Sequence, residues 1–464
     1  MNTVGEHAVV LGASMGGLLA ARVLSEFYTR VTVVERDNLP DGPEQRRGVP
    51  QGRHVHGLLT AGAQSLDRLF PGVLDELAAD GATVIHFKDR GAVWQILNGH
   101  DLSATFGGGH SDLVGYQSTR PFLEDHVRRR LRALPGVTVL DGHDVVDLAA
   151  AGGRIVGARV ADRGGHGQQV LRADLVVDAM GRGSRTPAFL GKLGYPPPEE
   201  EHITMRLVYT SRLFELPPPE PAVKLFIRSP EPGRPTGMAM AKLERDSWLL
   251  TVGAMVGGEA PTDWEHMLEF TDQLTPAQVH DVLHRARPTG EWARYRYPAS
   301  QWRRYDRMRR FPEGFLVFGD SMCSFNPVYA QGMSVAALEA VALQDCLRQG
   351  DVALSRRFFQ AAKKPLSAAW ALAAGADLAL PEVPGRRTPA IRASGWYTDR
   401  LLTAASTDCA VAEQFLRVTN MIDPPTRLLT PPTVARVLKH RKGRAPSVGP
   451  AMSSSTTTQG GRDG

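Results

Sequence analysis

The N-terminal segment shows the hydrophobic pattern of a strand, a turn, a helix and a second strand. An apolar run at residues 8–11 leads into a glycine-rich turn, an amphipathic segment at residues 18–27 and a second apolar run at residues 31–34. Short apolar runs beside glycine are typical of buried strands, and the segment between them has helical spacing. The pattern predicts a βαβ unit at the start of the chain.

Helical and strand-like stretches alternate along the rest of the chain, and the pattern changes near residue 195. Apolar spacing predicts helices at residues 58–77 with a break at residues 71–72, at residues 120–134, from Gly332 onward and over much of residues 353–410. Single strands are predicted at residues 83–87, 92–97, 137–140, 203–213, 223–227, 238–243, 248–255 and 315–318. Three more are predicted within residues 144–177, with turns at residues 152–153 and 164–165. The strands beyond residue 195 alternate and are separated by Pro-rich links, which is typical of an antiparallel sheet.

Length and composition indicate a globular protein with more than one structural unit. The chain has 464 residues, of which 42% are hydrophobic and 22% charged. A single core rarely grows to this size, so two or more units are expected. Apolar runs are too short to span a membrane, and the first strand begins within about six residues, which leaves no space for a secretory signal. We expect a cytoplasmic protein without a membrane span.

Cysteine usage and charge exclude several classes of function. Cys323, Cys346 and Cys409 are far apart and form no metal-binding motif, so neither disulfides nor a metal site is expected. The net charge of +5 comes mainly from Arg clusters at residues 128–130, 303–310 and 439–444. We expect these on solvated helix faces, because no nucleic-acid motif accompanies them.

The glycine turn resembles a dinucleotide fingerprint. Gly12 and Gly17 fit its first and third glycines, while Ser14 stands at the middle position. Glu35 follows Gly17 by 18 residues, close to the roughly 20 expected of the acid that binds an adenosine ribose. That carboxylate would repel a 2′-phosphate, so FAD or NAD is favoured over NADP. A βαβ unit that binds nothing remains an alternative.

A long Pro- and Gly-rich loop follows the second strand, at residues 37–57. Its Arg46, Arg47 and Arg53 are placed to reach a pyrophosphate, and His54 and His56 to approach a ring system. Loops of this length in a compact domain are usually functional or disordered. Two His at a spacing of two, with no carboxylate nearby, are a poor metal site.

Two further strands also run directly into ligand-type loops. One is ADLVVDAMGRGSR at residues 173–185, and the other is GFLVFGDSMCSFNPVYAQGMS at residues 314–334. Three such loops after three apolar strands are more specific than any one of them. Together with RRGVPQGRHVHGLL at residues 46–59, they resemble the class A flavin-dependent monooxygenases, the fold of p-hydroxybenzoate hydroxylase. Within that group the chain looks most like the epoxidases that oxidise polyenes in polyether antibiotic assembly.

The resemblance implies an α/β fold with interleaved domains. A Rossmann-like FAD-binding domain of the glutathione-reductase type is interleaved with a mostly antiparallel substrate sheet, and a helical C-terminus follows. The implied boundaries are 1–80, 118–195 and 312–350 for the FAD-binding domain, 81–117 and 196–311 for the substrate domain, 351–442 for the helical region and 443–464 for a disordered tail.

The resemblance also implies roles for individual residues. Asp320 would accept a hydrogen bond from a ribityl hydroxyl, Arg120 would contact the cofactor, and Pro327 would flank the reactive edge of the flavin. The cofactor-binding residues implied are Gly12, Ser14, Gly17, Glu35, Arg36, Arg47, Arg53, Arg120, Gly319, Asp320, Pro327, Gly332, Met333 and Ser334. The start of the helix at Gly332 would lie under the pyrimidine ring, where a helix N-terminus favours the anion of reduced flavin.

The implied activity is oxygen insertion through a flavin C4a-hydroperoxide, with no catalytic side chain required. The substrate would be an apolar alkene or aromatic, such as a polyketide of secondary metabolism. NADPH or NADH would supply electrons, directly or through a flavin reductase. Met180 stands where the family has an Asp associated with nicotinamide handling, which puts direct use of NADPH in question; Cys323 and Ala330 replace a usual His and Gly.

Other functions remain open on the sequence. An FAD-dependent dehydrogenase or C=C reductase would share all three loops. Flavin halogenases are a further variant, although their Trp-x-Trp-x-Ile-Pro signature is absent. A non-catalytic binding protein of the same fold, like the prenyl-GTPase escort proteins, is the alternative from a different class.

Overall fold

The computed structural model describes residues 3–107 and 111–440. The strands are β1 (Gly5–Leu11), β2 (Tyr28–Val34), β3 (Thr83–His86), β4 (Val93–Leu97), β5 (His100–Asp101), β6 (Val114–Gln117), β7 (Val137–Leu140), β8 (His143–Ala151), β9 (Arg154–Asp162), β10 (Gln168–Arg172), β11 (Leu175–Asp178), β12 (Glu200–Ile203), β13 (Leu207–Glu215), β14 (Leu225–Arg228), β15 (Thr236–Lys242), β16 (Trp248–Ala254), β17 (Arg287–Tyr297), β18 (Ser300–Arg303), β19 (Phe315–Val317) and β20 (Cys323–Ser324). The helices are α1 (Met15–Leu24), α2 (Thr60–Leu69), α3 (Val73–Ala79), α4 (Arg120–Arg132), α5 (Thr186–Lys192), α6 (Trp264–Asp272), α7 (Ala277–His284), α8 (Gly332–Leu347), α9 (Leu354–Ala379), α10 (Pro389–Ala405), α11 (Cys409–Thr419) and α12 (Pro431–Lys439).

A five-stranded parallel sheet organises the first part of the fold. Its strand order is β19-β11-β1-β2-β7, and β1 pairs with β2 on one side and β11 on the other. The apolar residues of β1 and β11 are buried on both faces, as expected of a sheet covered by helices. Because all five strands are parallel, the loops that follow β1, β11 and β19 leave from the same edge. The three ligand-type loops of the sequence therefore meet there.

The second large sheet has seven strands in the order β17-β13-β16-β15-β14-β4-β5. Most neighbours pair antiparallel, and β14 with β4 is the parallel exception. One face packs Phe214, Phe226 and Trp248 against α6 and α7. The opposite face carries Tyr209 and Tyr295, which pack against the loop that contains His54. The period of two along each strand thus separates core aromatics from those that face the ligand loops.

Helices complete the fold on two sides. α8 packs against α1 and α2, the long α9 packs against α8, and both belong to the core of the five-stranded sheet. α10, α11 and α12 instead cover buried apolar residues within residues 85–106 and at Leu113. Over the described residues, none of the helices has the length and apolar character needed to cross a membrane.

The structure confirms the predicted fold class, and it corrects two expectations. α6 and α7 lie where only strands and links were predicted. Arg128, Arg303 and Arg304 are buried rather than solvated. Each is neutralised locally: Arg128 pairs with Asp125 at 2.7 Å, Arg303 with Glu200 at 3.1 Å and Arg304 with Asp306 at 2.8 Å. Buried guanidinium groups are tolerated when paired in this way.

The domain boundaries stay a prediction, although the five-stranded sheet does draw its strands from three separate parts of the chain. The predicted disordered tail at residues 443–464, and residues 108–110 of the predicted flexible connection at 106–110, lie outside the described residues.

Candidate functional site

The turn after β1 accepts only glycine at two positions. Gly12 has φ +102°, and a Cβ there would lie 2.5 Å from the carbonyl oxygen of Ala179. A Cβ at Gly17 would lie 1.8 Å from the carbonyl oxygen of Gly12. Real Cβ atoms do not approach backbone oxygen so closely, so α1 can begin at this point only without a side chain. Both positions therefore require glycine on steric grounds, and their role in cofactor binding stays a prediction.

Glu35 ties this turn to the end of β2. It is buried, and its Oε2 accepts a hydrogen bond from the Ala13 N–H at 2.8 Å. Its Oε1 accepts from the Asp37 N–H at 3.1 Å. A carboxylate at this position therefore shapes the turn and still presents acceptor capacity beside it, because each carboxylate oxygen has two lone pairs.

A buried ion network connects the turn to α4. Arg120, the first residue of α4, donates from Nη2 to Ser14 Oγ at 2.9 Å and pairs through Nε with Glu124 at 3.1 Å. Arg46 lies 2.8 Å from the other oxygen of Glu124 and 3.2 Å from Glu35. Two cations and two carboxylates therefore meet under the glycine turn. Glu124 was not predicted, although its i,i+4 spacing from Arg120 was a visible signal.

The loop after β19 contacts both the glycine turn and α8. Gly319 has φ +62°, and a Cβ built on it would lie 3.9 Å from Gly16 Cα. Its N–H donates to the buried Glu339 at 2.8 Å. Asp320 Oδ1 lies 3.7 Å from the position of a Cβ at Gly332. This loop therefore connects the starts of α1 and α8.

Asp320 is open to solvent in the groove between these elements, yet protein surrounds it. The protein atoms packed around the Asp320 carboxyl displace part of its hydration and so raise its pKa, while Arg120 and Arg182 act in the opposite direction. The pKa of Glu339 is raised to about 8 by burial and by Asp320. Asp320 thus lies beside two cations at one end of the groove, an arrangement suited to a polar ligand with hydroxyl groups.

Two helix N-termini point into the same region. Among the described residues, no protein group accepts from the N–H groups of residues 15–17 at the start of α1 or of residues 332–334 at the start of α8. Free N–H groups at a helix start carry a partial positive charge of about half an electron. They are suited to a phosphate or another anion.

The loop before α8 is held from the C-terminal helices. Pro327 opens a short 3₁₀ turn, Pro327–Tyr329, and is half-buried. Asp377 of α9 accepts from Asn326 Nδ2 at 2.7 Å and from the Tyr329 hydroxyl at 2.8 Å. Burial raises the pKa of Asp377 to about 6. Ala330 follows in the left-handed region, at φ +52°, which explains why the family usually has Gly there.

In the middle loop, which follows β11, the carboxylate of Asp178 accepts hydrogen bonds that fix the loop itself. Asp178 is fully buried and accepts hydrogen bonds from Ser184, from Thr186 Oγ1 at 2.6 Å and from Ser321 Oγ at 3.1 Å. It also accepts from the Met180 N–H at 2.9 Å. Burial raises its pKa and these donors oppose that effect. Asp178 therefore joins three segments, and its four hydrogen bonds leave no lone pair for a further donor. Met180 packs against the core.

His54 faces the seven-stranded sheet. Its ring packs edge-on against Tyr209, with ring centroids 4.2 Å apart, and its Nδ1 lies 2.6 Å from Ser211 Oγ. Ser211 in turn hydrogen-bonds Thr251 at 2.6 Å. Burial lowers the pKa of His54 to about 3 and that of His56 to about 4. Both rings are therefore neutral at pH 7.

The remaining predicted residues divide into two groups. Met333 and Ser334 are buried at the start of α8, where Ser334 Oγ accepts from the Leu59 N–H at 3.0 Å and so fixes α2. Arg36 and Arg47 are exposed, and Arg53 pairs with Glu291 of β17. The structure brings Gly12, Ser14, Gly17, Glu35, Arg120, Gly319, Asp320 and Gly332 together, and it leaves the three Arg at the periphery.

These features fit FAD. The glycine cradle excludes any Cβ, two helix starts offer free N–H groups, and Glu35 and Asp320 supply carboxylates for hydroxyl groups. A dinucleotide-binding fold with these three loops beside an aromatic sheet face defines the class A flavin-dependent monooxygenase fold. A family model described as FAD binding domain matches residues 6–349, and the chain belongs to that family.

The chain is also similar to curated relatives, and it shares its fold with solved structures. The chain is 36% identical over 451 residues to Protein Rv3254 of Mycobacterium tuberculosis, covering 94% of each chain. It is 26% identical over 392 residues to a kynurenine 3-monooxygenase of Salinispora tropica, covering 79% of this chain and 78% of the relative. The crystal structure of p-nitrophenol 4-monooxygenase PnpA from Pseudomonas putida DLL-E4 matches with a TM-score of 0.63 and 20% identity, over 90% of this chain and 99% of that one.

Proposed function

We propose that the protein is an FAD-dependent monooxygenase that inserts one oxygen atom from O₂ into an apolar alkene or aromatic substrate. Epoxidation or hydroxylation of a polyketide-like compound of secondary metabolism is the specific reaction proposed. The observation that supports it most is the convergence of the turn after β1, the Gly319 loop and the start of α8 at one sheet edge, next to the face of Tyr209 and Tyr295.

Each part of the groove has a separate task in this proposal. Glu35 holds the adenosine ribose, Asp320 a ribityl hydroxyl, and the start of α1 the pyrophosphate, with Arg120 adding positive charge. The free N–H groups at the start of α8 favour negative charge on the ring system. Bound FAD supplies the redox chemistry with O₂, and the chain binds, orients and excludes water. Arg36, Arg47 and Arg53 would reach the cofactor only from the rim.

The substrate face favours an uncharged, ring-containing or polyene molecule. His54 is neutral because burial lowers its pKa to about 3, and the aromatic rings of Tyr209 and Tyr295 pack beside it with centroids 5.7 Å apart. Apolar pockets with few polar groups typically orient such ligands. The hydrogen bonds from His54 to Ser211 and from Ser211 to Thr251 hold the imidazole ring in place, so a substrate hydroxyl would meet a preorganised ring.

Electrons are proposed to come from NADPH or NADH, and the middle loop favours delivery through a separate flavin reductase. Asp178 already accepts from three side chains and a backbone N–H, and Met180 offers no carboxylate. Anaerobic mixing of the FAD-loaded protein with NADPH or NADH tests this directly. Slow reduction that accelerates on adding a flavin reductase and free flavin supports the proposal, whereas rapid direct reduction contradicts it.

Product analysis under ¹⁸O₂ distinguishes the monooxygenase from its alternatives. Polyenes and polycyclic aromatics are incubated with the reduced FAD-loaded protein, with and without bromide. A product heavier by one ¹⁸O atom supports the proposal. Desaturated or saturated products without ¹⁸O indicate a dehydrogenase or C=C reductase, and brominated products indicate a halogenase. A protein that takes up no FAD would instead support a binding role.

A further inference from the structure

Three metal-ligating side chains converge between α6 and α7, outside the groove described above. His280 and His284 are one turn apart on α7, and Asp272 is the last residue of α6. The Nε2 atoms of His280 and His284 lie 3.3 Å and 3.0 Å from the same Oδ1 of Asp272. One ligand atom from each residue lies within 4.8 Å of the other two.

The spacing of these atoms matches a tetrahedral cation. Zinc bonds of about 2.0–2.1 Å place neighbouring ligand atoms roughly 3.3 Å apart. Both measured His-to-Asp separations are close to that value, and the two imidazole rings stack with centroids 4.1 Å apart. Small side-chain adjustments would therefore admit an ion between the three groups without moving either helix.

A second carboxylate orients one of the ligands. The Nδ1 of His280 lies 3.4 Å from Asp281 Oδ1, on the side away from Asp272. A carboxylate beyond a ligating His fixes the tautomer that leaves Nε2 free for a metal, and it raises the basicity of the ring. His280 thus has Asp272 beside its Nε2 and Asp281 beside its Nδ1, which is the arrangement found for His ligands at zinc sites.

Competing charges distinguish this cluster from a similar one. Glu76, Asp80 and His126 also lie within metal-binding distance of one another, but Arg129 and Arg130 form ion pairs with Glu76. Among the described ion pairs, Asp272 has only its two His partners. The first cluster is therefore open to a cation, and the second is already neutralised.

We propose that Asp272, His280 and His284 bind one divalent cation of the zinc class, with water completing the coordination. The ion joins the end of α6 to α7, and both helices cover the core face of the seven-stranded sheet through Met267, Val279 and Leu283. Its function is structural stabilisation of this helix pair, independent of the FAD groove. Cysteine spacing led to the expectation of no metal, whereas the signal here is the His-x₃-His spacing of α7.

Isothermal titration of tag-free, FAD-loaded full-length protein with zinc chloride at pH 7.5 tests the proposal. The expected result is one zinc per chain with micromolar or tighter affinity, weakened at least about 10-fold by His280→Ala, His284→Ala or Asp272→Ala. The three side chains are 38–42% exposed, so these variants are expected to fold.

His266→Gln is the matched control, because His266 lies on α6 and pairs with Asp263 outside the cluster. Its zinc affinity is expected to equal that of the wild type. Zinc is also expected to slow hydrogen exchange in α6 and α7 of the wild type and not of His284→Ala. Absence of zinc binding by the wild type, equal binding by the three cluster variants, or loss of binding in His266→Gln would overturn the proposal.

Discussion

Two adjacent glycines at the start of α1 give a direct test of the steric account of the cofactor turn. Substitution of either by Ala adds one methyl group to the same helix. At Gly16 the nearest atom to the new Cβ is a Phe318 ring carbon at 3.6 Å, which is ordinary contact. At Gly17 it is the Gly12 carbonyl oxygen at 1.8 Å, about 1.6 Å short of such contact. The two substitutions should therefore change the free energy of unfolding in opposite directions.

The expected magnitudes follow from helix propensity and from overpacking. Ala is better than Gly within a helix by up to about 1 kcal/mol, so Gly16→Ala should leave the free energy of unfolding unchanged or raise it. Gly17→Ala gains the same helix-propensity contribution, but its Cβ must displace the carbonyl oxygen of Gly12, which is held in a tight turn at φ +102°. Overpacking of this kind costs about 1–3 kcal/mol or more. We expect a net loss of about 2 kcal/mol and a distorted pyrophosphate site.

Chemical denaturation and FAD content of the purified variants provide the measurement. Gly16→Ala is expected to match the wild type in its unfolding midpoint. Gly17→Ala is expected to unfold at lower denaturant concentration and to purify with little FAD. If Gly17→Ala is as stable as Gly16→Ala and retains FAD, then the close approach of α1 to Gly12 is not what requires glycine, and the steric reasoning fails.

Three further predictions concern the groove and the loop before α8. Asp320→Ala is expected to weaken FAD binding at least tenfold in a fluorescence titration, because the hydroxyl acceptor is lost; an unchanged dissociation constant would count against its role. Ala330→Gly is expected to raise the free energy of unfolding by about 1 kcal/mol, because it removes a side chain from φ +52°; a destabilised variant would show that the turn is not strained. Asp377 has a folded pKa of about 6 against an ordinary 3.8, so the folded state binds more protons and the wild type loses stability as pH rises from about 4 to 6. Asp377→Asn should lack that part of the slope in denaturation curves measured across this range, and a parallel pH profile would refute the assignment.

Much of the fold was predictable because its signals are local. Glycine turns after apolar runs marked β1, β11 and β19, and parallel strands then bring their loops to one edge. α6 and α7 were missed because each is short and lies in Pro-rich, strand-dominated sequence. Their local signals were an Asp263 N-cap and helical spacing of apolar residues such as Met267, which were weaker than the alternation around them.

The candidate site was predictable where steric demands act within a few residues, and not where partners are distant in sequence. Gly12, Gly17 and Glu35 lie within one βαβ unit. Glu339 and Asp377 hold the loops around Asp320 and Pro327 from helices far along the chain, and no local pattern indicates that. The burial of Arg128 was missed because Arg side chains are usually exposed, although its partner Asp125 lies only three residues earlier on α4.

FAD binding by the full-length protein tests the central claim most directly. Titration of flavin-free protein with FAD, followed by removal of unbound flavin, should give one FAD per chain for the wild type and for Gly16→Ala. Gly17→Ala and Asp320→Ala should retain less. A folded wild-type protein that retains no FAD would contradict the account.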